Sequence, residues 1–328
     1  MLFTVWFISP NKQVVANSKG LLYLRAVGSF TYGQIPPRDS FNPPVSVSTN
    51  FDMASCSKVM ATTTAAALLY QQGYFHIQDP VSQYLGPEYN ANNKEAVRIV
   101  HLLTHDAGYP PDPVPGYWEL SFACPETVAH PEHPAMVWTC NDRIYKSLLN
   151  QTLVTPPGQV YVYSDLSFIT LHYVLGSIIY NQNVPTAPLL PVCSGFNVTS
   201  NPGAVYVCYF EAFVRRMFST LLGMKNTGYL PNPSTWGALP PTRNDTWYRH
   251  AVSQGTVDDE NAYALGGVSG HAGVFSNAYD IGLLMDAWLY GDKPELLNSS
   301  TIALWTRELG GWKVEKVSSL LTCFFFFF

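Results

Sequence analysis

The stretch with the most reactive side chains contains Ser55 and Lys58, three positions apart. The residues after them are almost all apolar until Gly73, so we predict a buried helix over residues 55–72. A spacing of three places both side chains on one face of that helix. The helix N-terminus would stabilise a Ser55 alkoxide, and a buried lysine either lowers its pKa or finds an anion. The pair is a candidate for nucleophilic catalysis, although an N-cap serine followed by a surface-reaching lysine gives the same pattern.

A second candidate stretch is Tyr163-Ser164-Asp165, which follows a double proline and a glycine. A tyrosine on such a turn can accept a proton if a neighbouring cation lowers its pKa. The alternative is a half-buried aromatic residue before a helix that Ser164 or Asp165 caps.

A third stretch surrounds His271 with Gly266, Gly267, Gly270 and Gly273. Glycines at this density let a ligand or another backbone approach a strand closely, and a bulged edge strand gives the same pattern.

The elements that must position these stretches follow from periodicity and turn signals. We predict two strands near the N-terminus, Gln13–Ala16 and Leu21–Tyr32, and a glycine-rich strand over 264–276. Helices are predicted over residues 55–72, 96–107, 141–154, 166–180, 211–222 and 277–290. We predict a long loop over residues 109–140 and irregular chain over residues 229–262.

This order predicts an α+β fold, with an antiparallel sheet, flanking helices and an all-helical lobe. We expect one domain over residues 1–328. Its sheet lobe would come from about 1–50 and 250–328, and its helical lobe from about 51–249.

Composition narrows the function classes. Charged residues make up 12% of the 328, about half the usual quarter, and the formal net charge is −5. The chain has no basic stripe, which argues against a nucleic-acid partner, and no run of about 20 apolar residues, which argues against stable membrane insertion. The start lacks a basic region and is a poor match to a signal peptide. The chain ends in five phenylalanines, where we expect a truncated or altered terminus.

The cysteines and glycosylation sequons favour a secretory setting. Cys193 and Cys208 bracket one irregular loop, and Cys124 and Cys140 bracket another, so we expect each pair to form a local disulfide. Cytosolic free thiols are the alternative. The four N-x-[ST] sequons are Asn150, Asn197, Asn244 and Asn298.

Two histidines, His101 and His105, are four apart on a predicted helix. The acidic partner of a metal-binding helix is missing, so packing or capping is the better interpretation. We predict no metal site and no cofactor.

Three motifs in this order, Ser55-x-x-Lys58, Tyr163-x-Asp165 and His271-x-Gly273, resemble those of the serine β-lactamase and penicillin-binding-protein-like hydrolases. The resemblance covers about residues 21–290 and is closest to the class C-related branch, which includes esterases and D-alanyl carboxypeptidases. Relative to that family the chain starts late and stops early, so we expect it to be truncated at both ends. Segments in and near the motifs also have sequences similar to those of the family. They are Phe51–Ser55, His101–His105, Leu222–Met224 and Asp259–Ala262.

The resemblance implies roles for individual residues. Ser55 would be the nucleophile, with Lys58 and Tyr163 sharing the general-base role. The backbone N–H groups of Ser55 and Val274 would form the oxyanion hole. Asp165, His271 and Gly273 would support a small ester or amide substrate, which the enzyme would cleave through an acyl-enzyme.

Two departures from the family pattern matter for the chemistry. Asp165 stands where Asn is usual, and its carboxylate would keep Lys58 protonated and move the base role to Tyr163. His271 stands where Lys is common, which weakens capture of a substrate carboxylate. A β-lactamase or D-alanyl carboxypeptidase, and a non-catalytic binding module on the same fold, therefore stay open as alternatives to an esterase or amidase.

Overall fold

The computed structural model describes residues 3–6, 12–17, 20–32, 42–122, 124, 140–290 and 296–308. Within them, helices surround three small antiparallel sheets, which confirms the α+β class. The expected alteration at the C-terminal phenylalanines and most of the expected one at the N-terminus lie outside the described residues, as does much of the predicted 109–140 loop. The division into a sheet lobe and a helical lobe stays a prediction.

The largest sheet lies at the start of the chain. Its strands β1 (Phe3–Trp6), β2 (Lys12–Asn17) and β3 (Gly20–Ala26) follow one another in antiparallel order. β2 and β3 confirm the two predicted strands, although β3 ends earlier than expected. The late helix Ala278–Tyr290 packs against β2, with Gly282 facing Val14.

The other two sheets are two-stranded. β4 (Phe51–Asp52) pairs with β7 (Phe275–Ser276), and β5 (Arg243–Asp245) pairs with β6 (Ala251–Ser253). The β4–β7 pair joins the segment before Ser55 to the end of the glycine-rich stretch. The β5–β6 hairpin lies inside the stretch predicted to be irregular. Its strands are short and contain polar residues, so they show no apolar alternation in the sequence.

Helices carry most of the core. The α-helices are Thr64–Gln71, Ser82–Leu85, Ile99–Leu103, Asn141–Asn150, Asp165–Asn181, Pro202–Arg216, Glu260–Ala264, Ala278–Tyr290 and Ser299–Ala303. Three wide, π-type segments are Lys58–Thr63, Met217–Leu222 and Leu304–Glu308, and tighter 3₁₀ segments are Pro87–Asn93, Leu120–Phe122, Pro191–Gly195 and Pro233–Ala238.

The first-motif helix, Lys58–Thr63 continued by Thr64–Gln71, is buried along nearly its whole length. It ends as predicted, because Gly73 adopts a φ of +78° just beyond it.

The second-motif helix, Asp165–Asn181, begins where the Ser164 hydroxyl accepts the Ser167 N–H at 3.2 Å. It packs against helix Pro202–Arg216, and Gly176 allows the close approach because a Cβ there would overlap the Tyr206 carbonyl. The latter helix starts earlier than predicted, with a proline in its first turn, where the missing N–H costs no hydrogen bond.

The predicted strand over 264–276 is wrong except at Phe275–Ser276. The third-motif loop, residues 265–274, turns instead, because Gly266, Gly267 and Gly273 take φ values of +81°, +84° and +109° that extended chain does not adopt. A Cβ on Gly270 would overlap the Phe168 carbonyl, so here a glycine admits another backbone.

The predicted 96–107 helix shortens to Ile99–Leu103, and His105 has a φ of +57°. The His101 ring accepts the Arg98 N–H at 3.2 Å, which confirms the capping interpretation. Among the described helices, none has the length and apolar character needed to cross a bilayer.

Candidate active site

The first motif places a lysine against a serine hydroxyl. Lys58 Nζ donates to Ser55 Oγ at 2.9 Å. Ser55 lies at the start of the first-motif helix and is partly exposed, whereas Lys58 is only 3% exposed. The helix wall thus holds an ammonium beneath a hydroxyl that solvent can reach.

The second motif supplies the anion that a buried lysine needs. Asp165 Oδ1 lies 2.6 Å from Lys58 Nζ, so the lysine forms an ion pair and a hydrogen bond to Ser55 at once. Asp165 reaches this position because it opens the second-motif helix, and its N–H donates to the Pro111 carbonyl at 2.7 Å.

Tyr163 completes the group. Lys58 Nζ lies 4.7 Å from the centre of its ring, and Lys58 and Ser55 both act to lower the pKa of its hydroxyl. The ring stacks on His105, whose centroid is 4.6 Å away, while more than a third of the residue stays exposed. The structure therefore brings Ser55, Lys58, Tyr163 and Asp165 together.

The electrostatics of the group differ from the expectation at Tyr163. Burial by itself lowers the pKa of Lys58, but the Asp165 carboxylate and Tyr163 together outweigh it and the pKa is raised. Burial raises the pKa of Tyr163, and the opposing effect of the Lys58 charge does not cancel it. Lys58 is a fixed cation as predicted, but the predicted lowering of the Tyr163 pKa is wrong because desolvation dominates.

The expected oxyanion hole is only half available. The Ser55 N–H lies at a helix N-terminus, where N–H groups lack intrahelical acceptors. The Val274 N–H instead donates to Ser57 Oγ at 3.0 Å, and the Val274 carbonyl accepts the Met53 N–H at 2.8 Å. The β4–β7 pairing pulls Val274 onto this inner side of the helix, so its role as a second donor is not supported by this geometry.

His271 does not face the opening of the site. One ring nitrogen lies 2.7 Å from Ser269 Oγ and the other 2.7 Å from Asp259 Oδ1, and both His271 and Ser269 are fully buried. Burial lowers the pKa of His271, but Asp259 and then Asp165 outweigh it and raise the pKa overall. Only the His271 carbonyl reaches the first motif, where it accepts from Lys58 at 3.3 Å. Gly273 lies at the turn of the same loop, where a Cβ would crowd the Gly267 carbonyl.

One arrangement within the described residues could accept a metal. Potential ligand atoms of Asp165, Asp259 and His271 all lie within 4.8 Å of one another. In the structure these atoms serve the Lys58 ion pair and the Asp259–His271 contact. We therefore interpret the three residues as part of a charge network.

Sequence reasoning missed the partners of the motif residues. Ser57 binds the Val274 amide, and Asp259 binds His271 while also capping helix Glu260–Ala264 through the Ala262 N–H at 2.7 Å. An acidic residue before a short helical stretch was the available signal for Asp259. Ser57 gave no signal, because only the strand pairing brings Val274 to it.

The predicted cysteine pairs are both formed. Cys124 bonds to Cys140 and Cys193 to Cys208, while Cys56 is buried among apolar residues.

The sequon asparagines differ in exposure. Asn150, Asn197 and Asn244 are exposed. Asn298 is half-buried, and its Oδ1 caps a helix by accepting the Thr301 N–H at 2.8 Å.

A comparison with protein families decides the relationship. The model of the family described as Beta-lactamase matches residues 8–179, which is more than half of the chain. The chain belongs to the β-lactamase family. This confirms the resemblance that the three motifs carried.

Curated relatives of this β-lactamase family member include a protein of Salmonella agona provisionally named a D-alanyl-D-alanine carboxypeptidase. It is 28% identical over 86% of this chain and 63% of its own length. A Salmonella typhi protein of the same name matches equally well. The chain thus spans less than two thirds of the length of these relatives.

Solved structures show the same fold at low identity. The hydrolase EstCE1, described as having promiscuous acyltransferase activity, aligns with a TM-score of 0.58 at 20% identity, covering 91% of this chain and 72% of EstCE1. A class C β-lactamase from Rhodobacter sphaeroides aligns with a TM-score of 0.57 at 19% identity, covering 90% and 64%.

Proposed function

We propose that this β-lactamase family member is a serine hydrolase that cleaves an ester or amide through an acyl-enzyme on Ser55. The observation that carries the proposal is the contact of Lys58 Nζ with Ser55 Oγ at 2.9 Å, in a group that also holds Tyr163 and Asp165. A serine nucleophile held by a neighbouring cation, with a tyrosine nearby that can take its proton, is an arrangement suited to covalent catalysis.

The covalent step needs Ser55 to lose its proton as Oγ bonds to the substrate carbonyl carbon. Lys58 is protonated, so Tyr163 takes the proton as a phenolate and then gives it to the departing alcohol or amine. The carbon–heteroatom bond breaks and leaves acyl-Ser55. Water attacks the ester next, Tyr163 again receives the proton, and Ser55 recovers it as the acid leaves.

The protonation states of Lys58 and Tyr163 support a site that is most active in alkaline solution. The pKa values of Lys58 and Tyr163 are both raised, so only a small fraction of either group is unprotonated at neutral pH. The Ser55 N–H, at the helix N-terminus, supports the developing oxyanion.

Labelling with an alkyl fluorophosphonate probe tests the proposal. The wild type and Ser57→Ala should both be labelled, whereas Ser55→Ala should not. Equal labelling of Ser55→Ala would show that another hydroxyl reacts and would overturn the assignment.

A second candidate is a non-catalytic binding module on the same fold. The engagement of the Val274 N–H by Ser57 favours it, because the site then presents one oxyanion donor from the first motif and none from Val274. The reactive side chains of all three motifs favour the enzyme. Complete absence of labelling and of turnover across a panel of esters and amides would support the binding module.

Among the possible activities of this serine hydrolase, an esterase or amidase is favoured over a β-lactamase or D-alanyl carboxypeptidase. The third-motif His271 is buried and bound to Asp259 and Ser269, which leaves it unable to hold a substrate carboxylate. The names of the Salmonella relatives support the carboxypeptidase alternative. Comparing turnover of a short-chain p-nitrophenyl ester with that of a D-alanyl-D-alanine peptide separates the two.

We also propose that the protein is made in an oxidising, secretory compartment and is glycosylated. The two disulfides and the exposure of Asn150, Asn197 and Asn244 support this setting. Removal of N-glycans from protein made in a eukaryotic secretory host should reduce its mass. An unchanged mass would contradict glycosylation.

A further inference from the structure

The cations near Ser55 are each already paired with a carboxylate. Asp165 and Asp259 direct oxygens to within 4.8 Å of one another and of a His271 ring nitrogen. Both cations of this group are already committed, since Lys58 pairs with Asp165 and His271 pairs with Asp259. Neither is available to bind an anion that a substrate brings.

A third carboxylate, that of Asp112, lies next to the second motif. Asp112 follows Pro111, whose carbonyl accepts the Asp165 N–H at 2.7 Å, so the backbone holds Asp112 beside the second motif. Asp112 is flanked by two prolines, which limit the freedom of this segment, and it is exposed. Partial desolvation raises the pKa of Asp112 first, followed by the negative charges of Asp165 and Asp259.

Two partly exposed tyrosine rings belong to the same second-motif segment. Tyr161 and Tyr163 both contact the His105 ring, at centroid distances of 5.9 Å and 4.6 Å, and each is 37% exposed. The Tyr163 ring already has one ammonium near it, at 4.7 Å. Tyrosine rings next to carboxylates are a favourable environment for a second cation, such as a protonated amine.

We propose that the site selects ester or amide substrates that carry a protonated amine, with Asp112 as the specificity-determining residue that faces this amine. The inference rests on the proposed function, because it concerns substrates of Ser55. Asp112 takes no part in bond making. It attracts the cation and repels a carboxylate at the same position.

Three p-nitrophenyl esters of matched chain length test the proposal. Hexanoate is neutral, ε-aminohexanoate carries an ammonium, and the adipate monoester carries a carboxylate. For the wild type in dilute buffer we expect kcat/KM to be about tenfold higher for the cationic ester than for the neutral one, and lower for the anionic ester. The preference should shrink in concentrated salt.

Variants assign the preference to one residue. Asp112→Asn should reduce the cationic-to-neutral ratio to about twofold or less, and Asp112→Glu should restore most of it. The ratio is measured within one preparation, so a loss of folded protein cancels. Glu95→Gln removes another exposed carboxylate and should leave the ratio unchanged.

The outcomes separate this inference from the proposed function. Turnover of the neutral ester with no preference for the cationic one, or with a preference that Asp112→Asn leaves unchanged, overturns the inference alone. Absence of turnover for all three esters, together with no Ser55-dependent labelling, overturns both.

Discussion

The three motifs and their partners form two triples, each of a serine, a cation and an aspartate. In the outer triple, Lys58 contacts Ser55 at 2.9 Å and Asp165 at 2.6 Å. In the inner triple, His271 lies 2.7 Å from both Ser269 and Asp259. By side-chain type the inner triple looks more like a hydrolase, since histidine is the commonest general base.

Burial separates the two triples. Ser269 and His271 are fully buried, whereas Ser55 is partly exposed at the start of a helix and Tyr163 keeps 37% exposure. A substrate carbonyl can reach only the outer serine. The inner triple is better explained as a polar network that holds the third-motif loop and fixes the His271 carbonyl under Lys58.

Removing each serine gives the largest expected contrast. Ser55→Ala should lower kcat by a factor of about 10⁴ or more, because no other group can form the acyl bond. Ser269→Ala should keep turnover within about tenfold and instead reduce stability by about 1 kcal/mol, the usual size of one lost hydrogen bond. Steady-state kinetics and urea unfolding of the two variants check this; equal kinetic losses would erase the distinction.

The next effect concerns the ion pair of the outer triple. Asp165→Asn removes the anion that raises the pKa of Lys58, so the lysine should lose its proton at lower pH and share the base role. We expect the rising limb of kcat/KM against pH to move down by about 1 unit or more.

The same variant sharpens the role of Tyr163. Tyr163→Phe should reduce kcat/KM more in the wild type than in Asp165→Asn, where Lys58 can replace the phenolate. The double-mutant cycle measures this difference. If Tyr163→Phe reduces kcat/KM by the same factor in the wild type and in Asp165→Asn, then Asp165 does not determine which residue acts as the base.

The His271–Asp259 pair of the inner triple should contribute to the free energy of unfolding in a pH-dependent way. The folded-state pKa of His271 is raised, so its pairing with Asp259 stabilises the fold fully below the unfolded histidine pKa of about 6.5 and is lost as pH rises through the folded value. Asp259 has a lowered pKa, so its contribution fades only as strong acid protonates it. His271→Asn should cost about 3 kcal/mol at pH 6 and less at pH 9. A cost that is the same at both pH values in urea unfolding would rule out a charged pair.

The smallest expected effect on activity comes from the Cys193–Cys208 disulfide. Replacing both cysteines with alanine reopens a loop of about 15 residues, which the chain-entropy model values at about 3 kcal/mol. Unfolding midpoints should therefore fall while kcat/KM for esters stays unchanged. An equal unfolding midpoint for the variant would show that the bond does not stabilise the native protein.

Local sequence signals predicted much of the outer triple. The apolar run after Ser55 and Lys58 predicts the first-motif helix, and Asp165 opens the second-motif helix after a double proline. These features depend on neighbours in the chain. Their approach to each other followed from the family resemblance and not from spacing.

The inner triple was not predictable in the same way. The glycines around His271 fit both a strand and a loop, and the choice depends on Gly270 packing against Phe168, about a hundred residues away. The capture of Val274 by Ser57 depends on strand pairing between β4 and β7. The net pKa shift of Tyr163 depends on burial, which no local pattern reports.

Of these two triples, we expect only the outer one to form a covalent intermediate. The most direct test is peptide mapping by mass spectrometry after the protein reacts with a slowly deacylating p-nitrophenyl ester. We expect an acyl adduct on Ser55, absent from Ser55→Ala and retained in Ser269→Ala. An adduct on Ser269 or Ser57 in the wild type would contradict it.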